Sequence, residues 1–198
     1  MAFEDPCYSE SLDEALAFAA DAFRNVRRKA SGVPYLTHLL QVAVTVGEHG
    51  GDEEQMIAAL LHDYLEDIPG ATADILSARF GTRVKELVEA LTEDPNLQKA
   101  PWRERKEAYV TRSRSFHADA RLICAADKLH NAQSILRDHE HLGGAVWSRF
   151  SGTPEQTKWY YRAMHQALAE GWQSPLLLRL EACVEKLQGL SETTSEDQ

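Results

Sequence analysis

Residues Met56-Ile57-Ala58-Ala59-Leu60-Leu61 form an unbroken apolar run, and His62-Asp63-Tyr64-Leu65-Glu66-Asp67 follow directly. Asp52 ahead of the run and Pro69-Gly70 behind it predict a helix from Glu53 to about Asp67. A helix that is apolar on every side has to be enclosed by other elements. The run therefore demands a core several helices deep, with ionisable groups carried to its edge. On an uninterrupted helix His62 and Glu66 share one face, and Asp63 and Asp67 the next. Three carboxylates at the end of a buried segment repel one another in a low dielectric, and a divalent cation relieves that repulsion. The plainer alternative is a helix that simply emerges into solvent at His62.

The rest of the chain supplies the enclosing helices. Ser11 followed by Glu14 has the form of a capping box and opens an amphipathic segment, with Arg27-Arg28-Lys29 at its end and Ser31-Gly32 as the break. Pro34 opens a second helix to about Glu48. Further helices are predicted over 72–80, 84–91, 101–113 and 119–139. Thr153-Pro154-Glu155-Gln156 combines a capping box with a first-turn proline and starts a helix to Glu170. Ser174-Pro175 starts the last, to about Leu190. No segment alternates long enough for a strand, no repeat recurs, and the weakly patterned stretch from Thr92 to Ala100 reads as a surface loop. One all-α domain of about ten helices over residues 1–190 follows, with 191–198 as a disordered acidic tail.

The 198 residues hold 21 Lys and Arg against 31 Asp and Glu, a formal net charge of −10. That balance argues against a nucleic-acid binder, which needs a basic face. It leaves room for a small anionic substrate, because a site needs only local positive charge. The apolar runs fall far short of the roughly 20 residues a membrane span needs. Cys7, Cys124 and Cys183 are odd in number and form no CxxC, which reads as reduced thiols in a cytoplasmic protein.

Two further polar residues stand where a core is expected. Leu122-Ile123-Cys124-Ala125-Ala126 is apolar and runs into Asp127-Lys128-Leu129-His130-Asn131, where Asp127 and Asn131 are four apart on one helical face. An aspartate so placed needs a partner; a neighbouring lysine would be an ordinary one. His38 lies among Leu36, Leu39 and Leu40, where a histidine commonly makes a core hydrogen bond. Taken together, His38, His62, Asp63 and Asp127 form a set of two imidazoles and two carboxylates. Such ligands suit Mn²⁺, Fe²⁺, Zn²⁺ or similar ions, and four of them leave open positions for water and substrate.

The order His38, His62-Asp63, Asp127 resembles the signature of the HD-domain metal-dependent phosphohydrolases. Four blocks sharpen the likeness: Gly32-Val33-Pro34-Tyr35-Leu36-Thr37-His38, Ala58 to Asp67, Phe80-Gly81 with Leu87 to Thr92, and Ala126 to Asn131. They occur in the same order in the hydrolase domain of RelA/SpoT proteins and in stand-alone small alarmone hydrolases of the metazoan SpoT type. The resemblance spans about Leu12 to Leu190. It implies the all-helical HD fold, and a metal, Mn²⁺ or another divalent ion, on His38, His62, Asp63 and Asp127. It implies removal of the 3′-pyrophosphate of (p)ppGpp. Glu66 and Asp67 match the pair that handles the attacking water. Asn131, Arg28 and Lys29 match substrate contacts, with Arg27 as a substitute for Arg28 and Tyr160 near the family's aromatic at the nucleotide. Leu39 stands where the pattern usually has proline, Ile68 where threonine is frequent, and Lys128 where arginine is common in bifunctional enzymes.

The partner expected is a small phosphorylated nucleotide, with no nucleic acid and no membrane, and with monomer and homodimer both open. A substrate such as NADPH within the same enzyme class, and a regulatory module that binds nucleotide without turnover, are the alternatives. A cyclic-dinucleotide phosphodiesterase fits less well, because its GYP motif and additional ligands are missing.

Overall fold

The computed structural model describes residues 7–29 and 31–191, so all but the first residue of the expected acidic tail lies outside the described residues. Among the described residues the chain is all-α, with no strand. It gathers into two compact units. The first takes the described residues of Met1–Val26 and Pro34–Thr92, and the second those of Arg27–Val33 and Glu93–Gln198.

The first unit contains α1 (Glu10–Ala22), α2 (Leu36–Glu48), α3 (Glu53–Leu61), α4 (Tyr64–Asp67), α5 (Ala73–Phe80) and α6 (Thr82–Leu91). Helix α3 packs against α1, α2 and α6, and Ile57, Ala58, Ala59, Leu60 and Leu61 are all buried. The enclosure demanded by the apolar run is met by three neighbours. Asp52 caps α3 through a reciprocal pair: its carboxylate accepts from Gln55 N–H and the Gln55 side chain accepts from Asp52 N–H. At its other end the helix departs from the expectation. It stops at Leu61, His62 and Asp63 form a turn, and α4 restarts at Tyr64. Asp63, with φ −95° and ψ 3°, sits in the bridge region, and its carbonyl accepts from Glu66 N–H (3.2 Å) and Asp67 N–H (2.9 Å). The shared-face geometry of a continuous helix therefore does not apply to His62 and Glu66. Phe80 and Gly81 mark the junction of α5 and α6, where Gly81 adopts φ +89°, a conformation open to glycine at little cost.

Helix α1 also differs from its prediction. Its N-cap is Ser9, not Ser11. It ends at Ala22, well before the basic triplet, because Phe23 turns into the core (2% exposed) and tight turns follow, with Arg24 N–H on Asp21 O and Val26 N–H on Phe23 O.

The second unit contains α7 (Trp102–Ser113), α8 (Ala118–Leu142), α9 (Pro154–Ala169) and α10 (Pro175–Gln188), with short 3₁₀ turns at Pro95–Leu97 and Gly143–Arg149. The expected capping box of Thr153 and Gln156 is present, and Ser174 caps α10. Helix α8 packs against α9 and α10, and buries Leu122 through Asp127. Arg121 is buried near its start and spends its guanidinium on main-chain carbonyls. It donates to Phe116 O (2.8 Å), Leu168 O (2.6 Å), Glu170 O (2.7 Å) and Arg114 O (2.5 Å). The carbonyl of Leu168 lies in the last turn of α9 and has no partner within its own helix.

Replacing Arg121 with Met keeps the bulk but leaves these carbonyls, those of Phe116 and Leu168 buried, without that donor. The stability of the variant, measured by urea unfolding, is expected to fall by about 3 kcal/mol.

Candidate functional site

In the first unit, three of the sequence-predicted ligands converge. His38 on α2 is fully buried, and His62 is 4% exposed. His62 Nδ1 lies 2.7 Å from Ala59 O. A carbonyl can only accept, so Nδ1 carries the hydrogen and Nε2 of the neutral ring presents a lone pair. That Nε2 lies 3.0 Å from Asp63 Oδ2, and His38 Nε2 lies 3.6 Å from the same oxygen. The Tyr35 hydroxyl donates to this oxygen at 2.7 Å. An imidazole lone pair and a carboxylate oxygen at 3.0 Å need positive charge between them, either a proton on the ring or a cation bound by both. A separation of 3.0 Å is also the span of two adjacent octahedral ligands with bonds of about 2.1 Å. The donors are nitrogen and oxygen without thiolate, which suits a first-row divalent ion rather than a closed cysteine site.

Glu66 and Asp67 are exposed on α4, one turn beyond Asp63, whose carbonyl holds both of their N–H groups. The break in the helix thus sets the pair relative to Asp63 through the main chain.

The second unit organises another set. Asp127 on α8 is 7% exposed. Its carboxylate accepts from Lys128 Nζ at 2.6 Å and from the Asn131 amide, one turn on. Asn131 Oδ1 in turn accepts from Arg28 Nη2 at 2.6 Å. The amide thereby bridges a guanidinium and a carboxylate, and both of its ends are specified. The basic triplet does not end a helix. It lies in a turn closed by Arg28 N–H on Val33 O and Gly32 N–H on Arg28 O, with Gly32 at φ +71°. Arg27 donates to Gly32 O (3.0 Å), so Arg28 rather than Arg27 is the arginine that reaches Asn131. Lys29 is exposed.

Burial opposes the Lys128 charge, but Asp127 outweighs it and raises the lysine pKa well above its ordinary value. Tyr160 is buried beside Lys106 and Lys128, whose ammonium groups lie 5.0 and 5.7 Å from its ring centre, and burial pushes its phenol up. One residue in each unit lies outside the predicted site set, Tyr35 in the first and Glu93 in the second. Tyr35 carried a signal, since it precedes His38 by three residues in the Gly-Val-Pro-Tyr block. Glu93 carried none, since it lies in the stretch read as a surface loop. Its side chain is 18% exposed and pairs with Arg105 (2.8 Å) and Lys106.

Comparison with known proteins agrees with this chemistry. Residues 15–151 match the HD domain family model. The chain belongs to the HD-domain family. This HD-domain chain is 38% identical over 129 residues to the mouse guanosine-3′,5′-bis(diphosphate) 3′-pyrophosphohydrolase MESH1, covering 64% of this chain and 70% of that protein. It is 36% identical over 132 residues to the guanosine-3′,5′-bis(diphosphate) 3′-pyrophosphohydrolase of Aquifex aeolicus, covering 66% of this chain and 18% of that longer protein. Among solved structures it is similar to a metazoan ortholog of SpoT that hydrolyses ppGpp, with a TM-score of 0.77 and 28% identity over 94% of this chain and all of that one. With relatives of this kind, the HD-domain chain is an enzyme, a phosphohydrolase. No described helix is long and apolar enough to cross a membrane.

Burial raises the Glu93 pKa, but Lys106, Arg105 and Lys128 together outweigh it, and the net shift is downward from 4.5. A depressed folded-state pKa contributes stability above the unfolded value and loses it as pH falls through the folded one. The stability advantage of the native chain over Glu93→Gln, followed by thermal melts, is therefore expected to be full at pH 7 and to shrink progressively below about pH 4.5.

Proposed function

We propose that this protein is a divalent-metal-dependent hydrolase that removes the 3′-pyrophosphate of ppGpp or pppGpp, giving GDP or GTP and pyrophosphate. The observation that carries the reading is the convergence of His38 and His62 on one oxygen of Asp63, with His62 set by Ala59 to present its Nε2 lone pair. The names of the relatives in sequence and structure support the substrate. The HD domain extends over residues 1–190, and the three thiols, spaced without a CxxC, support a cytoplasmic setting.

In this reading His38, His62, Asp63 and Asp127 hold the metal, with Mn²⁺ as the ion. When bound, it supplies Lewis acidity at a phosphoryl oxygen and makes water more acidic. The chain supplies the rest. Glu66 accepts a proton from the attacking water, and Asp67 orients that water. The bond from the ribose 3′ oxygen to phosphorus breaks; the water's hydroxyl goes to the pyrophosphate, and its proton ends on the 3′ oxygen. Arg28 and Lys29 neutralise phosphate charge, and the Arg28 fork can also stack on the purine. Arg27 holds the turn that carries them. Asn131 and Tyr160 complete the nucleotide side. Asn131 keeps Arg28 oriented and Tyr160 offers an aromatic surface.

The purified chain with Mn²⁺ is expected to release pyrophosphate and GDP from ppGpp, followed by chromatography of the products, and to leave NADPH intact. No pyrophosphate from ppGpp overturns the reading, and phosphate released from NADPH instead moves the substrate. Asp63→Ala is expected to abolish turnover, whereas a module that only binds nucleotide would keep its biological function. Glu66→Gln is expected to lower kcat by about 10²- to 10⁴-fold, the usual range for loss of a general base.

A further inference from the structure

Of the three convergent ligands, Asp63 is the least buried. Its side chain is 20% exposed, against 0% for His38 and 5% for His62. It also lies on a turn between two helices rather than within one. The imidazoles are held by burial and, for His62, by the hydrogen bond to Ala59 O. A carboxylate on a short stem rotates readily about its Cβ–Cγ bond, and such rotation would carry Oδ2 away from both rings.

The Tyr35 side chain is placed to prevent this. Its hydroxyl donates to Asp63 Oδ2 at 2.7 Å, the same oxygen that faces both Nε2 atoms. Its ring stacks on Phe23 at 5.6 Å between centres and 12° between planes, and stands edge-on to the His38 ring at 5.4 Å. Its main chain is fixed too: Tyr35 N–H donates to Val26 O, and Tyr35 O accepts from His38 N–H, both at 2.9 Å. One rigid residue therefore touches two of the candidate ligands, the imidazole by its ring edge and the carboxylate by its hydroxyl. Phenylalanine would reproduce the packing but not the donor.

We propose that Tyr35 is a positioning residue for the metal centre: its hydroxyl fixes the rotamer of Asp63 so that Oδ2 stays aimed at the ion shared with His38 and His62. The inference rests on the metal-dependent reading above and adds to it a residue outside the predicted ligand and substrate-contact sets. Outer hydrogen bonds of this kind are typically worth 10- to 100-fold in metal affinity.

The test is calorimetric titration of Mn²⁺ into the metal-free full chain and into Tyr35→Phe, at a temperature where circular dichroism shows both folded. The expected result is a 10- to 100-fold weaker Mn²⁺ affinity for the variant. At limiting Mn²⁺ its ppGpp hydrolysis is expected to be depressed, and saturating Mn²⁺ is expected to restore it towards the native rate. A loss of affinity below fivefold overturns the proposal, and so does an activity defect that saturating Mn²⁺ leaves in place. If the native chain itself binds no Mn²⁺, the metal-dependent reading fails first, and that outcome is separable from a native chain that binds and a variant that binds equally well.

Discussion

Enclosing α3 on three sides is the constraint on which the first unit depends. Six apolar residues in a row cannot lie on a surface, and α1, α2 and α6 pay for their own ordering by covering them. The consequence for chemistry is positional. Where the apolar run ends, the chain has brought His62 and Asp63 to the margin of a close-packed core, and α2, packed against α3, brings His38 to the same place. Imidazole and carboxylate groups meet there with low exposure to solvent. In such a setting electrostatic interactions are strong and unpaired charge is costly.

The break between Leu61 and Tyr64 gives this margin its geometry. Had the helix continued, Glu66 would have stacked directly above His62. Instead Asp63 leaves the helical path, keeps both following N–H groups on its carbonyl, and turns α4 so that Glu66 and Asp67 emerge into solvent. The candidate ligand side chains stay buried or half-buried, and the pair proposed to handle water is exposed. The proposed division of labour between a half-buried carboxylate and two exposed ones thus rests on one residue in the bridge region.

In the second unit the same economy recurs with opposite signs. Asp127 is buried yet has both Lys128 and Asn131 on its carboxylate, and Asn131 passes the interaction on to Arg28. The net charge of −10 therefore says little about local potential. Cations are concentrated around Asp127 and Glu93, where Lys106, Lys128 and Arg105 lie close together, while much of the acidic excess is spread over exposed helix faces.

Period and punctuation alone determined the all-helical class, the caps at Asp52, Thr153 and Ser174, and the list of residues from which a metal site could be drawn. These are local properties: a helix cap needs only a side-chain oxygen and an N–H two or three residues on, and an apolar run announces its burial whatever covers it. Tertiary structure decided what local rules cannot express. The stop at Leu61 depends on how Asp63 is held, and the early end of α1 on where Phe23 finds its pocket. Arg28, and not Arg27, reaches Asn131 because Arg27 is spent on Gly32 O, and Glu93 is half-buried where two cations of α7 pair with it. Tyr35 shows the boundary most clearly. Its place in the sequence, three residues before His38, was visible, but that its hydroxyl would meet Asp63, 28 residues away, follows only from the packing of α2 against α3.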